Sequence, residues 1–141
     1  MDLHAALAIA REAHAGAVDK AGRPYIEHIE RVVARLGGEE ERIVAALHDV
    51  VEDTDLGPEE LRAAGLPERM LEAVLALTRR DGESYEDFVA RAATDPLARA
   101  VKRADVLDNS DEKRLRELPR DQRDRLRSKY SGALAALDKA P

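Results

Sequence analysis

An imidazole and three carboxylates fall within six residues of an otherwise largely aliphatic stretch, Ala45-Ala46-Leu47-His48-Asp49-Val50-Val51-Glu52-Asp53-Thr54. A helix advances about 100° per residue, so a continuous helix here stacks His48 on Glu52 and Asp49 on Asp53 in two adjacent columns. Acids this dense repel one another and resist burial unless a cation sits among them. A divalent metal ion is the natural candidate. The chain has no cysteine, which excludes thiolate ligands and disulfides and leaves nitrogen and oxygen donors that suit hard or borderline ions.

Two further segments carry polar chemistry in apolar company. His28 stands between Ile26 and Ile29, and Asp105 follows Val101 and Ala104 and precedes Leu107. Each is open to a bland reading, a structural or surface histidine and the solvent side of an amphipathic helix. Asp105 and Asn109 are nevertheless aligned at i,i+4, an arrangement in which a carboxylate can hold an ion while the amide touches substrate or orients a neighbour.

The elements that must position these groups are helices. With 44% hydrophobic residues in 141, no Trp and a single Phe, the core is aliphatic, and the predominance of alanine and leucine favours closely packed helices over sheets. Asp2 caps a first helix expected to run to about Val18, and Pro24 opens a second with Ile26, Ile29 and Val33. Gly37-Gly38 ends the second helix. Glu39–Glu41 favour the start of a third, whose buried stripe is Ile43, Leu47, Val50 and Val51. A short helical segment is expected near Glu59–Ala64, then helices after Pro67 and Ser84, one from Asp95-Pro96 to Asn109, and one after Pro119 bearing Leu126, Tyr130, Leu134 and Leu137. No heptad is sustained. The expected fold is thus all-α, an irregular bundle of about seven or eight helices in one domain over residues 1–141.

No apolar run approaches the roughly 18 residues of a membrane span, and the N-terminus lacks signal-peptide features, which points to the cytoplasm. A net charge of −6 argues against nucleic acid and anionic membrane as partners but leaves room for a small phosphorylated substrate. Self-association is left open.

His28, His48-Asp49 and Asp105 resemble the H…HD…D signature of the HD superfamily of metal-dependent phosphohydrolases. The stretches Ala13-His14-Ala15-Gly16, Lys20 to His28, Ala45 to Thr54, Leu77-Thr78-Arg79 and Val101 to Asn109 are similar, in order and approximate spacing, to the hydrolase domain of RelA/SpoT-type alarmone enzymes. The resemblance implies the HD-domain fold, with His28, His48, Asp49 and Asp105 holding one divalent ion, most often Mn2+. It implies Glu52 and Asp53 as the pair that orients or deprotonates the attacking water, Glu52 the more direct base. Lys20 and Asn109 match positions that contact a phosphorylated nucleotide; Arg23, in the same turn as Lys20, is a candidate to assist, and Tyr130 on the last helix is a candidate to close over ribose or phosphate beside a plain packing role. Tyr25 and His14 are read chiefly as supports of the site.

The activity so implied is removal of the 3′-pyrophosphate from guanosine 3′,5′-bis(diphosphate) or its pentaphosphate form. The other readings are a phosphohydrolase for another nucleotide or a dinucleotide 2′-phosphate, and a noncatalytic metal- or nucleotide-binding module. Three positions depart from the family pattern, among them Ala17, where a glutamine is frequent. Asp19 stands where an arginine associated with the base is usual, and Asp108 where an aromatic residue or histidine is common. An aspartate cannot stack on a purine as a guanidinium does, so weaker or altered guanine recognition is expected.

Overall fold

Side-chain oxygens close the first turns of three of the longer helices. Asp2 accepts from Ala5 N at 2.8 Å, Ser84 from Asp87 N at 3.0 Å, and Asp95 from Leu97 N at 2.9 Å and Ala98 N at 3.2 Å. These caps satisfy amides that have no partner inside the helix. The computed structural model describes residues 1–139, and among them ten helical segments occur in chain order. They are α1 (Leu3–Ala13), α2 (Tyr25–Ala34), α3 (Glu39–Leu47), α4 (Val50–Asp53), α5 (Pro58–Ala63), α6 (Glu68–Ala76), α7 (Tyr85–Ala93), α8 (Pro96–Asn109), α9 (Glu112–Leu115) and α10 (Arg120–Lys139). The all-α HD-type architecture expected from the sequence is present. The count exceeds seven or eight because α4 and α9 are single turns.

Two boundaries differ from expectation. The first helix ends at Ala13, not near Val18, because the chain turns at Gly16, whose φ of +82° suits glycine, and then forms a hairpin-like loop. In that loop Val18 bridges Pro24, and Tyr25 N donates to Ala17 O at 2.9 Å. The third helix is also interrupted, at His48-Asp49. His48 directs both its N–H and its ring Nδ1 to Ala45 O, the acceptor Asp49 N would need if the helix continued. The chain re-enters helix only at Val50, so the two straight columns of ionisable groups do not form.

Helix α3 is the centre of the bundle, with Ile43, Val44, Ala45, Ala46 and Leu47 all buried against α1, α2, α6 and α8. Its two alanines let neighbouring backbones approach closely. A smaller cluster of Val89, Val106, Leu115, Leu126, Tyr130 and Leu137 joins α7, α8, α9 and α10. Among the described residues no helix is long and apolar enough to cross a membrane.

Asp95 starts the helix that carries Asp105 and also forms a two-pronged ion pair with Arg69 at 2.9 and 3.0 Å. Asp95→Ala is therefore expected to lower unfolding free energy in urea by about 1 to 2 kcal/mol, the usual range for a lost N-cap. Arg69→Ala, which leaves the cap, should cost less, and equal losses would show that the cap contributes nothing beyond the pair.

Candidate functional site

Helices α2, α3 and α8 pack against one another, and each brings polar groups to their common junction. His28 comes from α2, His48 and Asp49 from the break after α3, and Asp105 from α8. One ligand atom from each of these four lies within 4.8 Å of the other three. All are buried except Asp49, which is partly exposed. The break after Leu47 is what permits this, because it turns the His-Asp pair inward together.

The ring of His48 is fixed by its 2.6 Å hydrogen bond from Nδ1 to Ala45 O, which puts the Nε2 lone pair on the cluster side. That nitrogen is 3.1 Å from Asp49 Oδ2 and 3.4 Å from Asp105 Oδ1, yet no hydrogen bond joins it to either oxygen. A fully buried nitrogen aimed between two carboxylates without an aligned partner fits a ligand atom for a cation. Asp105 is held on both sides: Oδ1 accepts from His28 Nε2 at 2.9 Å and Asn109 Nδ2 at 3.3 Å, and Oδ2 from Lys102 Nζ at 3.0 Å. The donor set of two imidazoles and two carboxylates suits a first-row divalent ion.

The electrostatics agree. Burial works against charge on both histidines, but the charges of Asp49 and Asp105 close by raise His48 well above its usual value. Hydrogen bonds to Asp105 and Asp108 likewise outweigh burial and raise His28. Burial is also outweighed at the acids: Lys102 holds Asp105 well below the usual carboxylate range, and His48 lowers Asp49. The carboxylates thus favour positive charge on the neighbouring rings, and a divalent cation at the same place would take over that role.

Glu52 and Asp53 lie on the one-turn α4, directly beyond Asp49. Glu52 Oε1 accepts from Arg79 N at 2.6 Å, tying α4 to the segment after α6. Partial burial and the charges of Asp49 and Glu52 push Asp53 up to about 6.

A pocket of about 260 Å³ opens between the α1–α2 loop, α9 and α10. Lys20, Tyr25, Asn109 and Tyr130 line it, alongside the apolar side chains of Val18, Leu115, Leu118 and Leu126. Three of the four expected substrate contacts are therefore brought together. Arg23 is not: its guanidinium is 60% exposed and pairs with Glu117 at 3.2 Å on another face, because the turn after Gly22 carries it away from the pocket.

Several contributors escaped the sequence reading. Tyr25, read chiefly as a support, donates its hydroxyl to Asp49 Oδ2 and lines the pocket. Lys102 holds Asp105 while its ammonium lies 4.8 Å from the Phe88 ring centroid. Asp108 accepts from His28 Nδ1 at 2.6 Å, and Arg114, which no motif marks, reaches Asp108 at 2.7 Å and Asp19 at 2.9 Å. Lys102 and Asp108, each three residues from Asp105, left a spacing signal, whereas Arg114 left none. His14 is buried beside Tyr25 at 5.2 Å between ring centroids, consistent with a supporting place.

An all-helical bundle that gathers these four residues at the junction of three helices defines an HD-type domain. No family model matches the chain. A guanosine-3′,5′-bis(diphosphate) 3′-pyrophosphohydrolase of Aquifex aeolicus is 34% identical over 120 residues, which are 77% of this chain and 17% of that protein. A protein of Streptomyces coelicolor named GTP pyrophosphokinase is 32% identical over 72% of this chain and 13% of its own length. The chain thus spans less than a fifth of these curated relatives. The solved structure of a metazoan ortholog of SpoT, described as hydrolyzing ppGpp, superposes with a TM-score of 0.81 at 24% identity, covering 98% of this chain and 86% of its own. Over about three quarters of its length the chain is thus a relative of RelA/SpoT-type proteins, and it shares the fold of the SpoT ortholog.

If the cluster binds an ion in the folded state, Mn2+ must raise Tm by mass action, an effect of about 2.7 kcal/mol at an ion concentration about 100 times Kd. His48→Ala and Asp105→Asn should each abolish most of the shift relative to their own metal-free Tm. A full shift in either variant would remove that residue from the ligand set.

Proposed function

We propose that this chain is a metal-dependent phosphohydrolase that releases the 3′-pyrophosphate from guanosine 3′,5′-bis(diphosphate) or the corresponding pentaphosphate, with Mn2+ as its ion. The observation that carries the reading is the adjacency of three parts: the four-residue cluster, the Glu52-Asp53 pair one turn beyond it, and the pocket bearing Lys20, Asn109 and Tyr130. The names of the relatives support this activity, while the kinase name among them makes a direct assay necessary.

A divalent ion bound to His28, His48, Asp49 and Asp105 supplies Lewis acidity toward a phosphoryl oxygen and makes water a stronger acid. The side chains provide the remainder. Lys20 presents a positive charge to phosphate from the pocket wall, and Asn109, its amide oriented by Asp105 and Arg114, offers hydrogen bonds to sugar or phosphate. The Tyr130 ring and the aliphatic wall exclude water. Glu52, anchored through Oε1 to Arg79 N, takes the proton of the attacking water at Oε2, and Asp53 beside it orients that water.

The base is the less constrained half of the substrate. Asp19 spends both side-chain oxygens on loop amides and Arg114, and its side chain is only 7% exposed. No guanidinium stands at that position to stack on guanine, and the wall of Val18, Leu115, Leu118 and Leu126 suits any flat base. This favours, as a second reading, hydrolysis of other phosphorylated nucleotides at the same centre.

Both readings are tested by incubating the Mn2+-loaded protein with ppGpp, pppGpp, nucleoside monophosphates and a 2′-phosphorylated dinucleotide, with identification of every product. The first reading expects pyrophosphate from ppGpp and loss of turnover on chelation. Turnover of none of these would contradict an enzymatic role. Glu52→Gln is expected to reduce turnover by roughly 10²-fold or more while the Mn2+-induced Tm shift persists; near-normal turnover would transfer the base to Asp53 or elsewhere.

A further inference from the structure

Asp19 and Asp108, two of the positions at which the chain departs from the pattern it resembles, are joined by a single guanidinium. Arg114 Nη2 donates to Asp19 Oδ2 at 2.9 Å, while Nη1 donates to Asp108 Oδ2 at 2.7 Å and to Asn109 Oδ1 at 3.1 Å. Asp108 in turn accepts from His28 Nδ1 at 2.6 Å and, through its other oxygen, from Arg31 Nε at 3.0 Å. The remaining oxygen of Asp19 accepts from the loop amides of Ala21 and Arg23 at 2.9 and 3.0 Å. Charge-assisted hydrogen bonds thus run unbroken from the α1–α2 loop, through α9, to the back of an imidazole in the four-residue cluster.

Each link has a physical reason. An imidazole that binds an ion through Nε2 keeps its proton on Nδ1, and a carboxylate accepting that proton fixes the ring and raises the basicity of Nε2. Asp108 is 1% exposed, so its charge requires cationic partners, which Arg31 and Arg114 supply. Arg114 also lies 3.2 Å from His28 Nδ1. Both nitrogens are donors there and are tolerable neighbours only because Asp108 Oδ2 accepts from both. Without Asp108, guanidinium and ring N–H would face each other with nothing between them, and the ring would turn or change tautomer. Asp19 restrains the other arm of the fork and so sets where Arg114 can stand.

We propose that Asp108 and Arg114 are positioning residues for His28, and that Asp19 holds Arg114 in register, so that the pocket loop and the metal cluster form one electrostatic unit. This rests on the metal-binding part of the functional reading and not on the identity of the substrate. It also reverses the expectation for position 19: an arginine there would meet Arg114 head-on and loosen the cluster in place of supplying a base contact.

The test uses the full chain at one pH near 7, with two readouts: Mn2+ affinity by calorimetry, and the ring ¹⁵N shifts of His28 in the metal-free protein. Asp108→Asn should weaken Mn2+ binding by about 10- to 100-fold and move the His28 shifts. Arg114→Gln and Asp19→Arg should do the same by about 10-fold. Arg114→Gln added to Asp108→Asn should change affinity by less than about 2-fold further, as expected of residues that act through one another. Arg127→Gln, which frees α9 from its surface pairing between Arg127 and Glu112, should change neither readout. Arg114 is partly exposed and sits on a single turn, so its variants carry the test if Asp108→Asn does not fold. Absence of Mn2+ binding by the wild-type chain would fall on the metal reading, whereas the metal-free His28 shifts test the bridge independently. A folded Arg114→Gln protein with wild-type His28 shifts, or with wild-type Mn2+ affinity, overturns the proposal.

Discussion

Two carboxylates, Asp49 and Asp105, are brought together in the interior of a small helical bundle, and the rest of the site is arranged around that repulsion. Their oxygens fall within 4.8 Å of each other and of two imidazole nitrogens, with Asp105 buried and Asp49 only partly exposed, so that solvent does little to screen them. Charges so placed persist only with counter-charges at hydrogen-bonding distance. Lys102, the ring of His28 and the hydroxyl of Tyr25 serve that purpose in the metal-free chain. A divalent cation serves it better, since it faces all four ligands at once.

The backbone accommodates this through a local defect. A continuous helix over the Leu47–Asp53 run would have spread His48, Asp49, Glu52 and Asp53 along one side. The ring of His48 instead captures Ala45 O, the ladder breaks, and the His-Asp pair enters the junction of α2, α3 and α8 while Glu52 and Asp53 follow on a separate turn. The feature that aims the imidazole into the cluster is therefore also the one that separates the proposed ligands from Glu52 and Asp53, the pair proposed to handle the proton. Stability at this point is traded for geometry, a common property of functional sites.

Much of this was legible in the chain. Asp95-Pro96 and Asn109 bound α8 as read, Ser84 caps α7, and the ligand set His28, His48, Asp49 and Asp105 meets at one place. Those features depend on local capping chemistry or on a dense, ordered motif. The parts that were not legible depend on long-range geometry. Arg114 lies 86 residues from His28 and 95 from Asp19, and no periodicity could have linked them. Arg23 and Lys20 sit in the same turn, and spacing alone could not say that Lys20 faces the pocket while Arg23 reaches Glu117. The break at His48 required knowing that a side chain would outcompete an amide for one carbonyl.

The most direct measurement is an experimental structure of the chain crystallised with excess Mn2+. The account predicts one ion at the junction of α2, α3 and α8, with donor atoms of His28, His48, Asp49 and Asp105 at about 2.0 to 2.3 Å and the His28 ring still backed by Asp108. An ion bound elsewhere, with Asp105 still occupied by Lys102 and His28, would contradict it.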